Sequence, residues 1–166
     1  VARPVTGRAY ALQLLDDQGG TSLNDPLPVE VRAGPNTGRV YLFYMSFPEG
    51  CHTHCVPTGY GPGTSRNWLM HSDDQGATWT APLDITEVAR PASSNFAGSP
   101  GVGIQLRHGE AAGRLVVPLR KGPPSSMQIF MLYSDDGGEN WARGVDVDNG
   151  SGNGTGDEVA IAELDD

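Results

Sequence analysis

Two acidic clusters occupy the same place in a repeated pattern. Residues 72–79 (SDDQGATW) and 134–141 (SDDGGENW) both fit Ser-x-Asp-x-Gly-x-x-Trp. Paired carboxylates could serve as a general acid and a general base. A tight β-turn, however, also explains each residue type, because the aspartate accepts backbone N–H groups, the glycine permits positive φ and the tryptophan covers the hairpin. We therefore predict a structural role for Ser72, Asp74, Gly76 and Trp79 and for Ser134, Asp136, Gly138 and Trp141.

A second cluster with possible chemistry is the run Cys51-His52-Thr53-His54-Cys55. Two thiolates and two imidazoles form a plausible tetrahedral zinc set. Ligands confined to five consecutive residues do not easily all point at one ion, so we predict no metal site here. A disulfide or two free thiols are the remaining interpretations, and the four-residue spacing permits a bridge. His52 and His54 could alternatively line a pocket.

The spacing of the repeats predicts the elements that carry them. A weaker copy of the pattern lies at residues 15–22 (LDDQGGTS), so the copies begin at 15, 72 and 134 and differ by 57 (72 minus 15) and 62 (134 minus 72) residues. This period suits a propeller blade of roughly four short strands. With 23 glycines and 13 prolines to supply turns, the sequence predicts an all-β protein.

The apolar runs predict where the strands and loops lie. Strands are expected at 24–30, 39–47, 66–72, 79–82, 102–106, 114–119, 127–134 and 158–164, with long loops at 48–63 and 145–156. The glycine-rich stretch 96–103 lacks the Gly-Lys-Ser/Thr of a phosphate-binding loop. We interpret it as glycine needed where strands converge.

Composition and charge restrict the partners of the chain. The 166 residues carry 20 acids against 11 bases, a net charge of −9, which disfavours nucleic acid and anionic membranes as partners. No run approaches the ~20 apolar residues that span a membrane. No cofactor motif is present, and we expect none. No signal peptide is visible and the first residue is Val1, which leaves localisation unknown, with a secreted or extracellular location slightly favoured.

The repeated pattern resembles the Asp box, or BNR repeat, of sialidases (neuraminidases). Further segments resemble the same family in the same order, namely Asn24-x-Pro26 followed by 37–42 (TGRVYL), then 79–86 (WTAPLDIT), 99–106 (SPGVGIQL), 113–118 (GRLVVP) and 157–164 (DEVAIAEL). The resemblance implies a six-bladed β-propeller. Residues 1–166 would form a partial sialidase-like propeller of only two to three blades, with a degenerate Asp box at 15–22 and good boxes at 72–79 and 134–141.

The resemblance also implies an activity. Sialidases remove terminal sialic acid from glycoproteins, glycolipids and oligosaccharides by a retaining mechanism with a tyrosine nucleophile. Sialic acid carries a carboxylate beside its anomeric carbon, so a neutral phenol can approach where an anionic nucleophile would be repelled, and a paired glutamate activates the phenol. Family members also use three arginines to hold the substrate carboxylate and an aspartate as acid/base.

Few of these roles transfer to particular residues. Glu158 matches the glutamate that activates the tyrosine, although Ala160 replaces the usual glutamine of that motif; the alternative is an exposed acid at a strand end. Arg120 and Glu49 are candidates for contacts with substrate, and Arg120 could equally be a solvated residue at a strand end. None of Tyr10, Tyr41, Tyr44, Tyr60 and Tyr133 lies in the context of the nucleophile, so we expect this chain alone to be inactive.

Two other functions remain open from the sequence. The chain could belong to a non-catalytic Asp-box propeller that serves as a glycan-binding or interaction module. It could also be half of a propeller that is completed by self-association, a weaker alternative because its open blade edges would first have to find a pairing partner.

Overall fold

The computed structural model describes residues 20–147 and 156–164, and these residues are almost entirely β-structure and loops. One turn of α-helix at Thr86–Ala89 and a 3-10 turn at Pro124–Ser126 are the exceptions among them. No helix in this described part is long and apolar enough to cross a bilayer. The strands are β1 (Ser22–Glu30), β2 (Val40–Phe47), β3 (Arg66–Ser72), β4 (Leu83–Asp84), β5 (Ala97–Gly98), β6 (Ile104–Gln105), β7 (Leu115–Lys121), β8 (Gln128–Ser134) and β9 (Ala142–Arg143).

The strands form two antiparallel sheets that follow chain order. The first sheet has the order β1-β2-β3-β4, so each strand pairs with the next one along the chain. In the second sheet β7 pairs with β8 and β8 with β9, while two short segments, β5 and β6, share the other edge of β7. Each sheet is therefore an antiparallel meander of four strands, with β5 and β6 together taking the place of one strand in the second sheet. This is the arrangement expected for a propeller blade.

A single apolar core joins the two sheets. Leu27 and Phe43 from the first sheet and Val117 and Phe130 from the second are each at most 4% exposed and belong to the same cluster. The ring of Trp141 packs edge-on against Phe43, with centroids 4.8 Å apart. Burial of this shared apolar surface is the main force that holds the sheets together.

The glycine-rich stretch before β6 lets the sheets approach closely. The Gly103 N–H donates to the Pro28 carbonyl across the sheet boundary at 2.8 Å. A Cβ at Gly103 would lie 2.8 Å from Cβ of Val29 and 2.9 Å from the Val116 carbonyl oxygen. No side chain fits there, which supports the interpretation of these glycines as a structural requirement.

The two repeated turns have the same hydrogen bonds. The Ser72 hydroxyl donates to Asp74 Oδ1 at 2.8 Å, and the Thr78 N–H donates to the same oxygen at 2.8 Å. In the second turn the Ser134 hydroxyl and the Asn140 N–H donate to Oδ1 of Asp136 at 2.8 and 3.0 Å. The aspartates therefore act as internal acceptors for their own turns.

These bonds also stabilise the charged form of each aspartate. Donation by the Thr78 side chain and backbone lowers the pKa of Asp74 to about 2. Donation by the backbone and side chain of Asn140 lowers the pKa of Asp136 to about 2. A group that must exchange a proton near neutral pH needs a higher pKa, so neither aspartate suits acid/base catalysis.

Arg39 ties the two repeated turns to each other. It directly precedes β2, and its Nε donates to Asp73 Oδ1 at 2.6 Å in the first turn. Its Nη1 donates to Glu139 Oε1 in the second turn at 3.1 Å, and Nδ2 of Asn36 donates to the same oxygen at 2.7 Å. The residues around the β1–β2 turn thus bridge the two sheets at the edge that carries the repeated turns 72–79 and 134–141. We call this edge the turn edge.

The last part of the chain differs from its predicted structure. The predicted strand at 158–164 has no ladder partner among the described residues, although its backbone is held at single points. The Val159 N–H donates to Ser99 Oγ at 3.0 Å, and the Arg107 N–H donates to Glu163 Oε1 at 2.8 Å. The predicted strand at 79–82 is also displaced, because the pairing residues are Leu83 and Asp84. Residues 15–19 of the degenerate Asp box lie outside the described residues.

Candidate functional site

A bulge in β1 creates the candidate site. The register of β1 on β2 shifts between Asn24 and Leu27, so one residue is extra on the β1 side. Asp25 lies in this bulge with φ of 54°, a left-handed conformation that few residues other than glycine adopt. Bulges redirect side chains and are common beside active sites. The bulge turns the Asp25 carboxylate toward the second sheet.

The bulge lies at the opposite edge of the first sheet from the repeated turns. On β2, Met45 pairs with Asn67, whereas Val40 pairs with Ser72, the first residue of the first repeated turn. These two positions are five residues apart (45 minus 40), which is about 17 Å along a strand. Asp25 and the turn aspartates therefore belong to separate regions, and the turn aspartates are not part of the candidate site.

The Asp25 carboxylate fills a space that a glycine leaves open. A Cβ at Gly98 would lie 2.8 Å from Asp25 Oδ2 and 2.8 Å from Met45 Sδ. Oδ2 of Asp25 is buried and has no hydrogen-bond partner among the described residues. A buried carboxylate oxygen without a partner is costly, so it marks a position where a ligand group or water would gain a hydrogen bond.

The surrounding charges act on Asp25 in both directions. Burial raises the pKa of Asp25, the positive charge of Arg120 opposes this rise, the negative charge of Glu158 adds to it and His52 opposes it weakly. Because charges act strongly only at short range, these four side chains form one electrostatic group. We call Asp25, Arg120, Glu158 and His52 the bulge-edge site.

Arg120 holds the segment that carries Glu158. It lies near the end of β7, where it pairs with Gly98, and its side chain is only 14% exposed. Its Nη1 donates to the carboxylate of Asp157 and also lies 3.5 Å from Met127 Sδ. The guanidinium stands 5.7 Å from the Phe96 ring centroid. The solvated position considered from the sequence is therefore wrong, and Arg120 is a partly buried residue beside the site.

Glu158 lies on the exposed side of the same site. Its N–H donates to Asp157 Oδ1 at 3.0 Å, and the next residue, Val159, is bonded to Ser99. These bonds fix the backbone on both sides, while the Glu158 side chain itself is exposed. The structure thus brings together Glu158 and Arg120, which sequence reasoning identified, with Asp25, which it missed. The only signal for Asp25 is its place within Asn24-Asp25-Pro26 at the start of a strand.

Glu49 is placed elsewhere. It lies in the exposed turn that follows β2, and a Cβ on Gly20 would stand 2.6 Å from its Oε2. Its carboxylate therefore packs over the beginning of the described chain and is not one of the charges that act on Asp25. A substrate contact by Glu49 remains a prediction.

The cysteine and histidine run forms a closed loop. Cys51 and Cys55 are joined by a disulfide, which decides between the alternatives left open by the sequence. In residues 20–147 and 156–164 no group of three or more histidine, cysteine, aspartate or glutamate side chains is arranged to hold a metal. Of the two histidines, His52 faces the bulge, with its Nε2 at 3.4 Å from Asn24 Oδ1.

Three tyrosines have structural positions away from Glu158. The Tyr41 hydroxyl donates to the Gly137 carbonyl at 3.1 Å, and the Tyr60 hydroxyl donates to the Arg90 carbonyl at 2.9 Å. The Tyr133 ring lies 4.6 Å below the Arg114 guanidinium. Tyr10 lies outside the described residues. The Tyr41 and Tyr60 hydroxyl groups and the Tyr133 ring are therefore engaged in structural contacts.

Comparisons with known proteins agree with this architecture. The model of the BNR repeat-like domain family matches residues 11–163. The anhydrosialidase of Macrobdella decora is 43% identical over 99 residues, which cover 59% of this chain and 12% of that protein. Sialidase-3 of Mus musculus is 32% identical over 134 residues, which cover 72% of this chain and 30% of that protein. The chain thus spans less than a third of the length of these two relatives.

Solved structures give the same fold. The intramolecular trans-sialidase of Ruminococcus gnavus superposes with a TM-score of 0.67 at 22% identity, covering 84% of this chain and 46% of that structure. The Hadza microbial sialidase Hz136 superposes with a TM-score of 0.66 at 24% identity, covering 76% and 25% of the two chains. These likenesses confirm the predicted propeller fold with only a few blades present. The chain belongs to the BNR repeat-like domain family, and its two sheets are blades of a sialidase-type β-propeller.

Proposed function

We propose that this chain supplies part of the active site of an exo-sialidase-type glycoside hydrolase, which removes terminal sialic acid from glycoconjugates with retention of configuration. The observation that carries this proposal is the grouping of Glu158, Asp25 and Arg120 at the edge opposite the repeated turns. Relatives that bear the name sialidase support the same reaction class. The arginines that bind the substrate carboxylate and the tyrosine nucleophile are not assigned to positions of this chain.

In this proposal Glu158 is the base that activates the nucleophile. A phenol oxygen attacks the anomeric carbon, the new C–O bond forms as the glycosidic bond breaks, and the phenol proton passes to the Glu158 carboxylate. A proton from a separate acid goes to the departing glycosidic oxygen. In the second step water attacks the anomeric carbon and gives a proton to that acid's conjugate base, the bond to the phenol oxygen breaks, and the phenol recovers its proton from Glu158. The exposed carboxylate of Glu158, on a backbone fixed through Asp157 and Val159, suits a group that receives a proton from outside this chain's core.

Asp25 and Arg120 have supporting roles. The half-buried Asp25 carboxylate accepts a hydrogen bond from a hydroxyl or amide N–H of the bound sugar. Arg120 keeps Asp157 in place and offsets the negative charge beside Asp25. Because its charge is already paired with Asp157, Arg120 acts as a positioning residue more than as a clamp for the substrate carboxylate.

Turnover of a fluorogenic sialoside tests the proposal. The assay compares this chain alone with a six-bladed propeller that contains it, and sialic acid release is expected only from the larger protein. Release by the larger protein should proceed with retained configuration at the anomeric carbon, which NMR of the first product reports. No release by either protein, under conditions where a known sialidase is active, would contradict the proposed reaction.

A non-catalytic glycan-binding module is the second candidate. It uses the bulge-edge site and needs no nucleophile, in keeping with the structural contacts of Tyr41, Tyr60 and Tyr133. The same assay separates the two functions when binding of 3'-sialyllactose is measured in parallel. Binding by the six-bladed protein without any release of sialic acid would support the module.

A further inference from the structure

The disulfide-closed loop 51–55 lies at the same edge as the bulge-edge site. It follows β2, whose end pairs with the beginning of β1. Inside the loop, the Cys55 N–H donates to the His52 carbonyl at 3.0 Å and the Val56 N–H donates to it at 3.2 Å. The His52 N–H points to Cys55 Sγ at 2.9 Å. The bridge and these bonds leave the His52 backbone little freedom.

The second sheet's side of the molecule anchors this loop. Asn95 Nδ2 donates to the Thr53 carbonyl at 2.9 Å and to the Val56 carbonyl at 3.3 Å. Val56 is 5% exposed and packs in a small apolar cluster with Phe47 and Phe96. The loop therefore has a fixed base and cannot move as a free surface segment.

His52 is the residue of this loop that reaches the site. Its ring stacks on Phe47 with centroids 4.4 Å apart and an interplanar angle of 36°. Nδ1 lies 3.3 Å from Thr53 Oγ1, and Nε2 lies 3.4 Å from Asn24 Oδ1, directly beside the bulge. The charge of His52 acts on Asp25. The ring is thus held by stacking on one side while the residue stays exposed on the other.

We propose that the Cys51–Cys55 disulfide is a positioning device that holds the His52 imidazole at the rim of the bulge-edge site, where it contacts the sugar next to the terminal one. This inference rests on the proposed sialoside ligand. A cross-link across so short a loop removes little chain entropy from the unfolded state, so its effect is local. In this arrangement the terminal sugar contacts the Asp25 carboxylate. The exposed His52 at the rim contacts the next sugar, which projects outward from the site.

The first experiment tests positioning without any ligand. In NMR spectra of the oxidised chain, cross-relaxation between the His52 and Phe47 rings reports the stacked geometry. We expect the C51S/C55S variant to keep a dispersed, folded spectrum and to lose this ring contact. The matched control is His54→Ala, which changes the other exposed histidine of the loop and should keep it. A C51S/C55S variant that retains the ring contact would overturn the role of the disulfide.

The second experiment tests the consequence for binding. The six-bladed protein that contains this chain, oxidised and carrying Glu158→Gln in every variant to prevent cleavage, is titrated with N-acetylneuraminic acid and, separately, with 3'-sialyllactose. We expect His52→Ala, His52→Phe and C51S/C55S to weaken binding of 3'-sialyllactose about fivefold, the scale of one hydrogen bond, while the affinity for the monosaccharide stays unchanged. His52→Phe preserves an aromatic ring for stacking and lacks the nitrogens, so it isolates their contribution. His54→Ala should bind both sugars like the wild type.

The two proposals fail in different ways. If the wild-type chain binds both sugars and the His52 variants bind 3'-sialyllactose equally well, the rim contact is wrong while the bulge-edge site stands. If the variants lose affinity for both sugars to the same extent, His52 contacts the terminal sugar and the proposed position is wrong. If the wild type binds neither sugar, the proposed function fails, and this inference fails with it.

Discussion

Asp25 combines three unusual properties in one residue. It has positive φ, its Oδ2 is buried without a partner among the described residues, and burial together with Glu158 raises its pKa. Each property has an energetic cost, and strained or unsatisfied groups of this kind concentrate at functional sites. These properties make Asp25 the first residue of the candidate site to test for binding.

Replacing Asp25 with asparagine should separate stability from binding. A folded pKa above the unfolded value means that the folded chain binds the extra proton, so this stabilisation is complete below the unfolded pKa and is lost as pH rises through the folded pKa. At pH 7 Asp25→Asn removes a buried charge and should raise the Tm, while it weakens sialoside binding about tenfold. Thermal melts at pH 4 and pH 7 and a titration with 3'-sialyllactose measure both effects. A lower Tm with unchanged affinity would contradict this role.

Replacing Glu158 with glutamine should affect chemistry and leave folding intact. The amide keeps the size of the side chain but does not accept the phenol proton, so turnover by the six-bladed protein should fall about 10²-fold to 10⁴-fold. KM should change little, because the role of Glu158 belongs to the reaction step.

The matched control for Glu158 is Glu110→Gln, which neutralises an exposed glutamate in the loop between β6 and β7. It should turn over substrate like the wild type. Equal turnover by Glu158→Gln and the wild type would exclude Glu158 as the base.

The sequence could identify only part of the site at this scale. Glu158 and Arg120 were found because local motifs, which a family resemblance preserves, surround them. Asp25 was missed because its role depends on a shift in strand register and on the absence of a side chain at Gly98, more than 70 residues away in the chain. Such a relation exists only after the sheets are assembled.

At the level of elements, the repeated turns are self-contained units. Each aspartate satisfies the N–H groups of its own turn, and each tryptophan Nε1 donates to the carbonyl of the turn glycine, at 3.1 Å in the first copy and 2.8 Å in the second. Local bonds of this kind can be inferred from sequence, which explains why the turns and the strands before them were predicted well. β8, for example, was expected at 127–134 and occupies Gln128–Ser134.

The segment 158–164 does not form the strand that its local sequence predicted. Its alternation of apolar and polar residues predicted a strand, but a strand also requires a neighbour with unpaired backbone groups. Within the described residues it meets isolated partners at Ser99, Arg107 and His108. Pairing is a property of the assembled sheet, so the alternation alone was insufficient.

The repeated turns should make the chain sensitive to acid. Both turn aspartates have a folded pKa of about 2, below the ordinary value near 3.9. The stabilisation from their ionised forms is therefore fully present above about pH 4 and is lost as the pH falls toward about 2. Urea unfolding between pH 2 and pH 7 measures this loss. It should be less steep in Asp74→Asn and Asp136→Asn than in the wild type, and equal slopes would contradict the account.

The two turn tryptophans should differ in their effect on stability. Trp141 packs on the core and makes edge contacts with Tyr41 and Phe43, so Trp141→Ala should reduce the free energy of unfolding by about 3–5 kcal/mol. Trp79 mainly covers its own turn at Gly76, and Trp79→Ala should cost about 1–2 kcal/mol. Urea unfolding of both variants at neutral pH tests the difference. Equal reductions in the free energy of unfolding would contradict the claim that the core contacts of Trp141 add to its effect on stability.

At the scale of the whole molecule, the repeated turns and the candidate site lie at opposite edges. The turn edge contains the two repeated turns and the Arg39 bridge between them. The bulge edge contains Asp25, Arg120, Glu158 and the disulfide-closed loop. Because of this division, side chains at the bulge edge can be replaced without disturbing the turn edge, which keeps the blades together.

The fold could be predicted at this scale because the repeat period and the Asp boxes are properties of the sequence. The relation between the two sheets could not, since it depends on long-range contacts such as that of Gly103 with Pro28. The chain spans less than a third of the length of the Macrobdella decora and Mus musculus relatives. The activity of a complete propeller therefore remains the proposal made above.

The location of a bound sialoside tests the central claim most directly. Amide chemical shifts of this chain within the oxidised six-bladed protein that contains it are followed by NMR during titration with N-acetylneuraminic acid. We predict that the largest changes occur at Asp25, Gly98, Arg120 and Glu158, while the turns at 72–79 and 134–141 stay unchanged. Changes confined to those turns, or saturating concentrations that shift no residue of the bulge edge, would contradict the account.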